Sequence, residues 1–162
     1  MNSKYVKFFL LDVDGVMTDG KSYYTKNGKF FKSFGPDDYD SLCLLKKYIN
    51  IEFITSDRET GYQISKQRIE KDMGFKLNYI KSDKRFDWVK KNFDLKKLIF
   101  MGDGLVDRVI LKNSFYSIAP SNADSICKKY ANYVTKNSGG SRAVSEACLH
   151  ILKKFFNKEF SI

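Results

Sequence analysis

Val6-Lys7-Phe8-Phe9-Leu10-Leu11-Asp12-Val13-Asp14-Gly15-Val16-Met17-Thr18-Asp19-Gly20 opens with a nearly continuous apolar run that two acids and a glycine bring to a stop. A run this short, bounded by turn residues and unbroken by polar alternation, is what a central strand covered on both faces requires. Similar runs recur at 51–55, 77–80, 98–101 and 116–118, each followed by a turn-rich or acidic stretch and then a helical pattern. The spacing predicts helices over about 39–48, 60–73, 84–92, 105–113, 123–130 and 142–156. In the last of these, Ala143, Val144, Ala147, Cys148, Ile151, Leu152 and Phe155 share one face, with Glu146, His150 and Lys153 on the other. That pattern places His150, the only histidine, at the surface. Regular alternation of strand and helix predicts an α/β fold: a doubly wound, Rossmann-like parallel sheet.

One interval breaks the alternation. Between Asp19 and Phe34 two aromatic, β-prone stretches flank Asn27-Gly28, a strong hairpin signal, so a β-hairpin is expected after the first strand. With 162 residues, 43% hydrophobic and 30% charged, and only two prolines, the chain suits one domain spanning 1–162. Three widely spaced cysteines without a Cys-x-x-Cys pair argue against a disulfide framework or a zinc site. No stretch reaches the length of a bilayer span, and the first residues run straight into a strand without the look of a signal peptide. No membrane partner and a cytoplasmic location are therefore expected. The formal net charge of +10 favours anionic partners, but the lysines are scattered singly and in pairs, as on a solvated lysine-rich surface.

In an open parallel sheet the reactive site lies beyond the carboxyl ends of the strands. Asp12 and Asp14 follow the first strand there, Thr55 and Ser56 the second, Lys84 the third, and Gly102, Asp103 and Asp107 the fourth. Each has a plain reading: Thr55 as a helix cap, Lys84 as a solvated lysine, Gly102-Asp103-Gly104 as a tight turn. Together, hard oxygen donors suited to Mg²⁺, a hydroxyl and a lysine are what phosphoryl transfer needs.

Asp12-Val-Asp-Gly15, Thr55, Lys84 and Gly102-Asp103-Gly-Leu-Val-Asp107 resemble the motifs of the haloacid dehalogenase superfamily of Mg²⁺-dependent phosphatases. Within it the chain is most similar to the capless group that contains 3-deoxy-D-manno-octulosonate 8-phosphate phosphatase and the C-terminal domain of acylneuraminate cytidylyltransferases. The resemblance extends over the hairpin, residues 34–38, Gly139-Gly140, Ala143-Val144 and Glu146. It implies that Asp12 attacks phosphorus and that Asp14 protonates the leaving oxygen and later activates water. Asp12 and Asp103 side chains with the Asp14 carbonyl would hold Mg²⁺, with Asp107 arranging the shell around it. Thr55 and Lys84 would bind and neutralise the phosphoryl group, and Ser56, Arg58 and Arg142 would complete a substrate-binding set.

Departures from the group's pattern fall at substrate-facing positions. Thr-Gly-Arg becomes Thr55-Ser-Asp-Arg58, Gly-Gly-Arg becomes Gly139-Gly140-Ser141-Arg142, and Asp37 stands where a basic residue is common. The intervals 19–38 and 55–84 hold no room for a cap domain. By resemblance, pairing of the projecting hairpin (residues 20–34) in a homotetramer would cover the open site. The expected activity is hydrolysis of a phosphorylated acidic sugar, such as a 3-deoxy-octulosonate or nonulosonate phosphate. A phosphatase for nucleic-acid ends ranks behind it on the strength of the charge, and so does a non-catalytic tetramerising module.

Overall fold

The computed structural model describes residues 6–159. Strands β1 (Phe8–Asp12), β4 (Asn50–Thr55), β5 (Lys76–Tyr79), β6 (Leu98–Met101), β7 (Tyr116–Ala119) and β8 (Tyr133–Val134) form one sheet in the order β5-β4-β1-β6-β7-β8. Every pairing in it is parallel. Strand β1 is central because its Phe9, Leu10 and Leu11 are fully buried, so it can sit only where helices cover both faces.

Six helices divide between those faces: α1 (Asp38–Leu45), α2 (Glu59–Lys66), α3 (Arg85–Asn92), α4 (Arg108–Asn113), α5 (Ser125–Tyr130) and α6 (Ala143–Phe156). Phe9, Leu11, Phe53 and Ile99 pack on one side with Leu42 and Leu45 of α1, Ile69 beyond α2, and the apolar stripe of α6. Leu10, Ile54, Leu98 and Phe100 pack on the other with Val89 of α3, Ile110 and Leu111 of α4, and Cys127 of α5. The odd and even residues of β1 thus feed different clusters, as the two-residue side-chain period of a strand demands. After α2 the chain continues as one π-helical segment, Gln67–Asp72.

The hairpin comprises β2 (Tyr23–Thr25) and β3 (Gly28–Phe31), and a further bridge between Thr18 and Phe34 closes its base. The six expected helices and five expected sheet strands are present, with ends shifted by up to three residues once the π-helical segment is counted with α2, which by itself stops seven residues short of the expected end. Strand β8 was not legible, since two residues at the sheet edge carry no periodicity. His150 corrects its expected surface position. Its ring stacks on Tyr133 with centroids 3.8 Å apart, and its Nε2 shares a 2.9 Å hydrogen bond with the Tyr116 hydroxyl. The first turns of the polar face of α6 therefore meet the β7–β8 edge, while Lys153 further along it stays exposed. Glu146 joins it there, accepting from the Tyr133 hydroxyl and the backbone N–H groups of Lys136 and Asn137.

The segment before α6 packs against the loop that follows β1. Gly139 donates its N–H to Asn122, whose side chain in turn donates to the Gly15 carbonyl, and a Cβ at 139 would lie 1.9 Å from that carbonyl oxygen. Gly139→Ala should therefore push the Asp12–Gly20 loop off its seat and destabilise the protein by about 1–3 kcal/mol. Denaturant titration checks this, and an alanine variant as stable as wild type would contradict the packing.

Candidate active site

The carboxyl ends of β1, β4 and β6 converge where the strand order switches, and they bring the acids together. One carboxylate oxygen from each of Asp12, Asp103 and Asp107 lies within 4.8 Å of the others. Gly15 makes this approach feasible: at φ +84° it turns the chain away from Asp103, whose Oδ2 would stand 2.0 Å from a Cβ there.

Arg85, at the start of α3, lies among these acids. Its Nη1 is 2.7 Å from Asp12 Oδ2 and 2.7 Å from Asp107 Oδ1, and its Nη2 donates to Ser56 Oγ at 2.7 Å. Burial disfavours the guanidinium's charge, but the two carboxylates more than offset this and raise its pKa. Asp107 is fully engaged. Its Oδ1 takes Arg85, and its Oδ2 accepts the backbone N–H groups of Asp103 and Gly104, which shapes the loop after β6.

Asp12 accepts from the Val13 N–H at 2.8 Å through its other oxygen. Burial, then the charge of Asp107, push its pKa up to about 7 against the pull of Arg85. Burial, then the charge of Asp12, raise Asp103 likewise to about 7, and burial raises Asp107. Three carboxyls with raised pKa values beside one guanidinium mark a site short of positive charge. Hard oxygen donors in this number suit a small divalent cation.

Thr55 is fully buried, and its Oγ1 donates to Asp14 Oδ2 at 3.4 Å while accepting the Asp57 N–H at 3.0 Å. Ser56 was expected to bind substrate. It donates instead to the Ile80 carbonyl and accepts from Arg85, so it braces the guanidinium.

Lys84 departs from its expected place. Its side chain is 72% exposed and its Nζ is 3.6 Å from Asp83. It ends a one-turn 3-10 helix, Ser82–Lys84, and neighbours on a helix point in different directions, so here it is Arg85 and not Lys84 that faces the acids. Arg142 is also drawn away: its Nε donates to Asp37 across the N-termini of α6 and α1. Arg58 is exposed and lines, with Glu59, Tyr62 and Tyr79, an open cavity of about 370 Å³. Sequence reasoning missed two residues: Arg85, and Lys32, whose buried ammonium contacts Asp14, Asp57 and Ser65.

A family model described as haloacid dehalogenase-like hydrolase matches residues 44–147. The chain belongs to that family. It is 30% identical over 152 residues to the 3-deoxy-D-manno-octulosonate 8-phosphate phosphatase of Yersinia pestis, covering 91% of this chain and 80% of the relative. The corresponding phosphatase from Moraxella catarrhalis, solved with magnesium, phosphate and the sugar acid, superposes with a TM-score of 0.81 at 28% identity. That match covers 96% of this chain and 90% of the other. The cobalt-bound enzyme of Haemophilus influenzae gives 0.79 at 26% identity, covering 94% and 91%. The expected capless phosphatase resemblance thus holds across nearly the whole fold, and its activity class is hydrolysis of phosphoric monoesters. No helix among the described residues is long and apolar enough to cross a membrane.

The raised carboxyls set a pH dependence. A group whose pKa is raised by folding stabilises the folded state fully below its unfolded value, and that contribution is lost as pH rises through the folded value. For Asp12 and Asp103 the window runs from about 4 to about 7. Asp38, raised by burial to about 6, acts in the same direction. Metal-free protein should therefore melt at a lower temperature at pH 8 than at pH 5, and added Mg²⁺ should raise the melting temperature more at pH 8. Equal gains at both pH values would contradict the charge balance described here.

Proposed function

We propose that this chain is a Mg²⁺-dependent phosphomonoesterase for a phosphorylated acidic sugar, working through an aspartyl-phosphate at Asp12. The observation that carries the reading is the convergence of Asp12, Asp14, Thr55, Arg85 and Asp103 at one sheet edge. The kinship to phosphatases of 3-deoxy-D-manno-octulosonate 8-phosphate supports it. Asp12 and Asp103 carboxylates with the Asp14 carbonyl would hold the cation, and Asp107 keeps the loop and Arg85 in place. When bound, the cation would offset the negative charge that the acids and the incoming phosphate share.

Asp12 is the nucleophile because its carboxylate is anchored by Val13 and Arg85 and cannot turn away. Arg85 takes the part expected of Lys84: its charge lowers the cost of bringing a phosphoryl dianion toward Asp12. Its Nε, buried and without a partner among the described residues, leaves a donor available. Asp14 gives its proton to the departing ester oxygen and afterwards removes one from water. At 35% side-chain exposure it is the acid of the pair open to a substrate. Thr55 donates toward the phosphoryl oxygens. A purely structural module would need neither a paired buried arginine nor this set of acids.

The exposed aromatic hairpin, with Tyr24 67%, Phe30 57% and Phe31 46% accessible, supports self-association through residues 20–34 into a homotetramer. Tyr24→Ser with Phe30→Ser should give a smaller particle in light scattering, and an unchanged mass would refute this assembly.

For the chemistry, Asp12→Asn should cut turnover by at least about 10³-fold and Arg85→Met by about 10²-fold, while Lys84→Met should cost less than about threefold. A panel of sugar-acid phosphates, nucleotides and end-phosphorylated oligonucleotides, assayed with and without Mg²⁺, measures these effects. Activity of Asp12→Asn above about a tenth of wild type would sink the mechanism. Preferential hydrolysis of the oligonucleotides would transfer the reading to nucleic-acid ends.

A further inference from the structure

Lys32 is the lysine that the described residues bury most completely, with a side chain 1% exposed. It follows β3, at the point where the hairpin returns to the body of the protein. Its Nζ lies 2.8 Å from Asp14 Oδ1 and 3.1 Å from Asp14 Oδ2, 2.8 Å from Asp57 Oδ2 and 2.8 Å from Ser65 Oγ. An ammonium has three N–H donors, and here three groups take them. No donor is left for a phosphate, so Lys32 cannot serve as a second phosphate-binding cation. The Asp57 carboxylate that fixes it from behind is itself held by Lys29 Nζ at 2.6 Å, and the Ser65 hydroxyl donates onward to the Gly61 carbonyl of α2. The ammonium is therefore pinned by the hairpin, by the loop after β4 and by α2, and its remaining grip is on both oxygens of Asp14.

We propose that Lys32 is a positioning residue for protonation of the leaving group, holding the Asp14 carboxyl in the orientation from which it delivers its proton. This rests on the reading of Asp14 as acid and base. In the first step an Asp12 oxygen forms a bond to phosphorus. The ester P–O bond breaks with its electron pair on the departing oxygen, and the Asp14 proton goes to that oxygen to release the alcohol. In the second step the Asp14 carboxylate takes a proton from water as that water attacks phosphorus, and the Asp12 O–P bond breaks with its electron pair on the Asp12 oxygen, which frees phosphate and restores the Asp12 carboxylate and the protonated Asp14. An alkyl alcohol leaves poorly without the proton, whereas p-nitrophenolate leaves readily without one. A residue that aims Asp14 thus matters for the first kind of ester and hardly for the second. A residue that merely anchors the hairpin would matter equally for both.

The experiment compares kcat/KM in Mg²⁺ on the best sugar phosphate of the panel and on p-nitrophenyl phosphate. Lys32→Met should lose about 30- to 100-fold on the sugar phosphate and less than about threefold on the aryl ester, a part of the 10²- to 10⁴-fold that a whole acid–base group supplies. Lys32→Gln keeps a partner for Ser65 while removing the charge, so it carries the same test if the methionine variant does not fold. Lys29→Met, which loosens Asp57 without touching Asp14, should slow both substrates by the same factor. Asp14→Asn is the reference and should show the larger selective loss. Selective loss in Asp14→Asn with equal losses in the Lys32 variants overturns the proposal alone. Equal losses in Asp14→Asn overturn the acid reading, and the proposal with it.

Discussion

The ion pairs of Arg85 with Asp12 and Asp107 are the constraint on which this site depends. Parallel strands that end side by side deliver carboxylates to one small volume, and charges up to 4.8 Å apart repel by about 3–4 kcal/mol per pair at an effective dielectric of about 20. Packing alone would not hold such a group together. The guanidinium relieves part of the repulsion and ties the loop after β1 to the loop after β6, with Ser56 from the loop after β4 as its brace. Three strand ends are thereby fixed by one side chain on α3. Losing one partner of such a buried set would leave the others charged and unpaired, which is why its members act as a unit.

The departures from the capless phosphatase pattern become coherent when their partners are known. Asp57, standing where an arginine is usual, is accommodated by Lys29 and Lys32, which hold its pKa down although burial opposes them. Asp37, in place of a basic residue, takes Arg142, and both residues adopt left-handed backbone at φ +65° and +72°. Each unusual acid has thus acquired a base within the same chain. Arg142 is thereby occupied, whereas Arg58 is left exposed. The strand-end acids are kept while their surroundings differ, as expected when function lives in a site that can vary on a fixed fold.

Sequence reading was strong wherever a physical pattern is local. The buried run in β1, the helical stripe of α6 and the turn signal of the hairpin each depend on neighbours in the chain, and each element formed. Strand-end acids were legible for the same reason: the rule that sites lie beyond the carboxyl ends of parallel strands needs only the order of elements. His150 was misplaced because an amphipathic pattern separates apolar from polar residues without saying what the polar face meets. Here it meets two tyrosines, and a ring that both stacks and hydrogen-bonds is satisfied without water.

The finer errors share one cause. Whether Lys84 or Arg85 enters the site turns on where a helix begins to within one residue, the quantity that sequence patterns define least well. Lys32 offered a weak signal, a lone lysine enclosed by Phe30-Phe31 and Phe34 at a strand end, where a solvated charge would be out of place. Its partners lie 18, 25 and 33 positions away in the chain, and no local periodicity links them. A buried charge without a paired acid is several kcal/mol unfavourable, so once Lys32 is enclosed its acids are required. That requirement ties the hairpin to the loop after β1 through Asp14, and it does so through tertiary contacts that only the folded chain reveals.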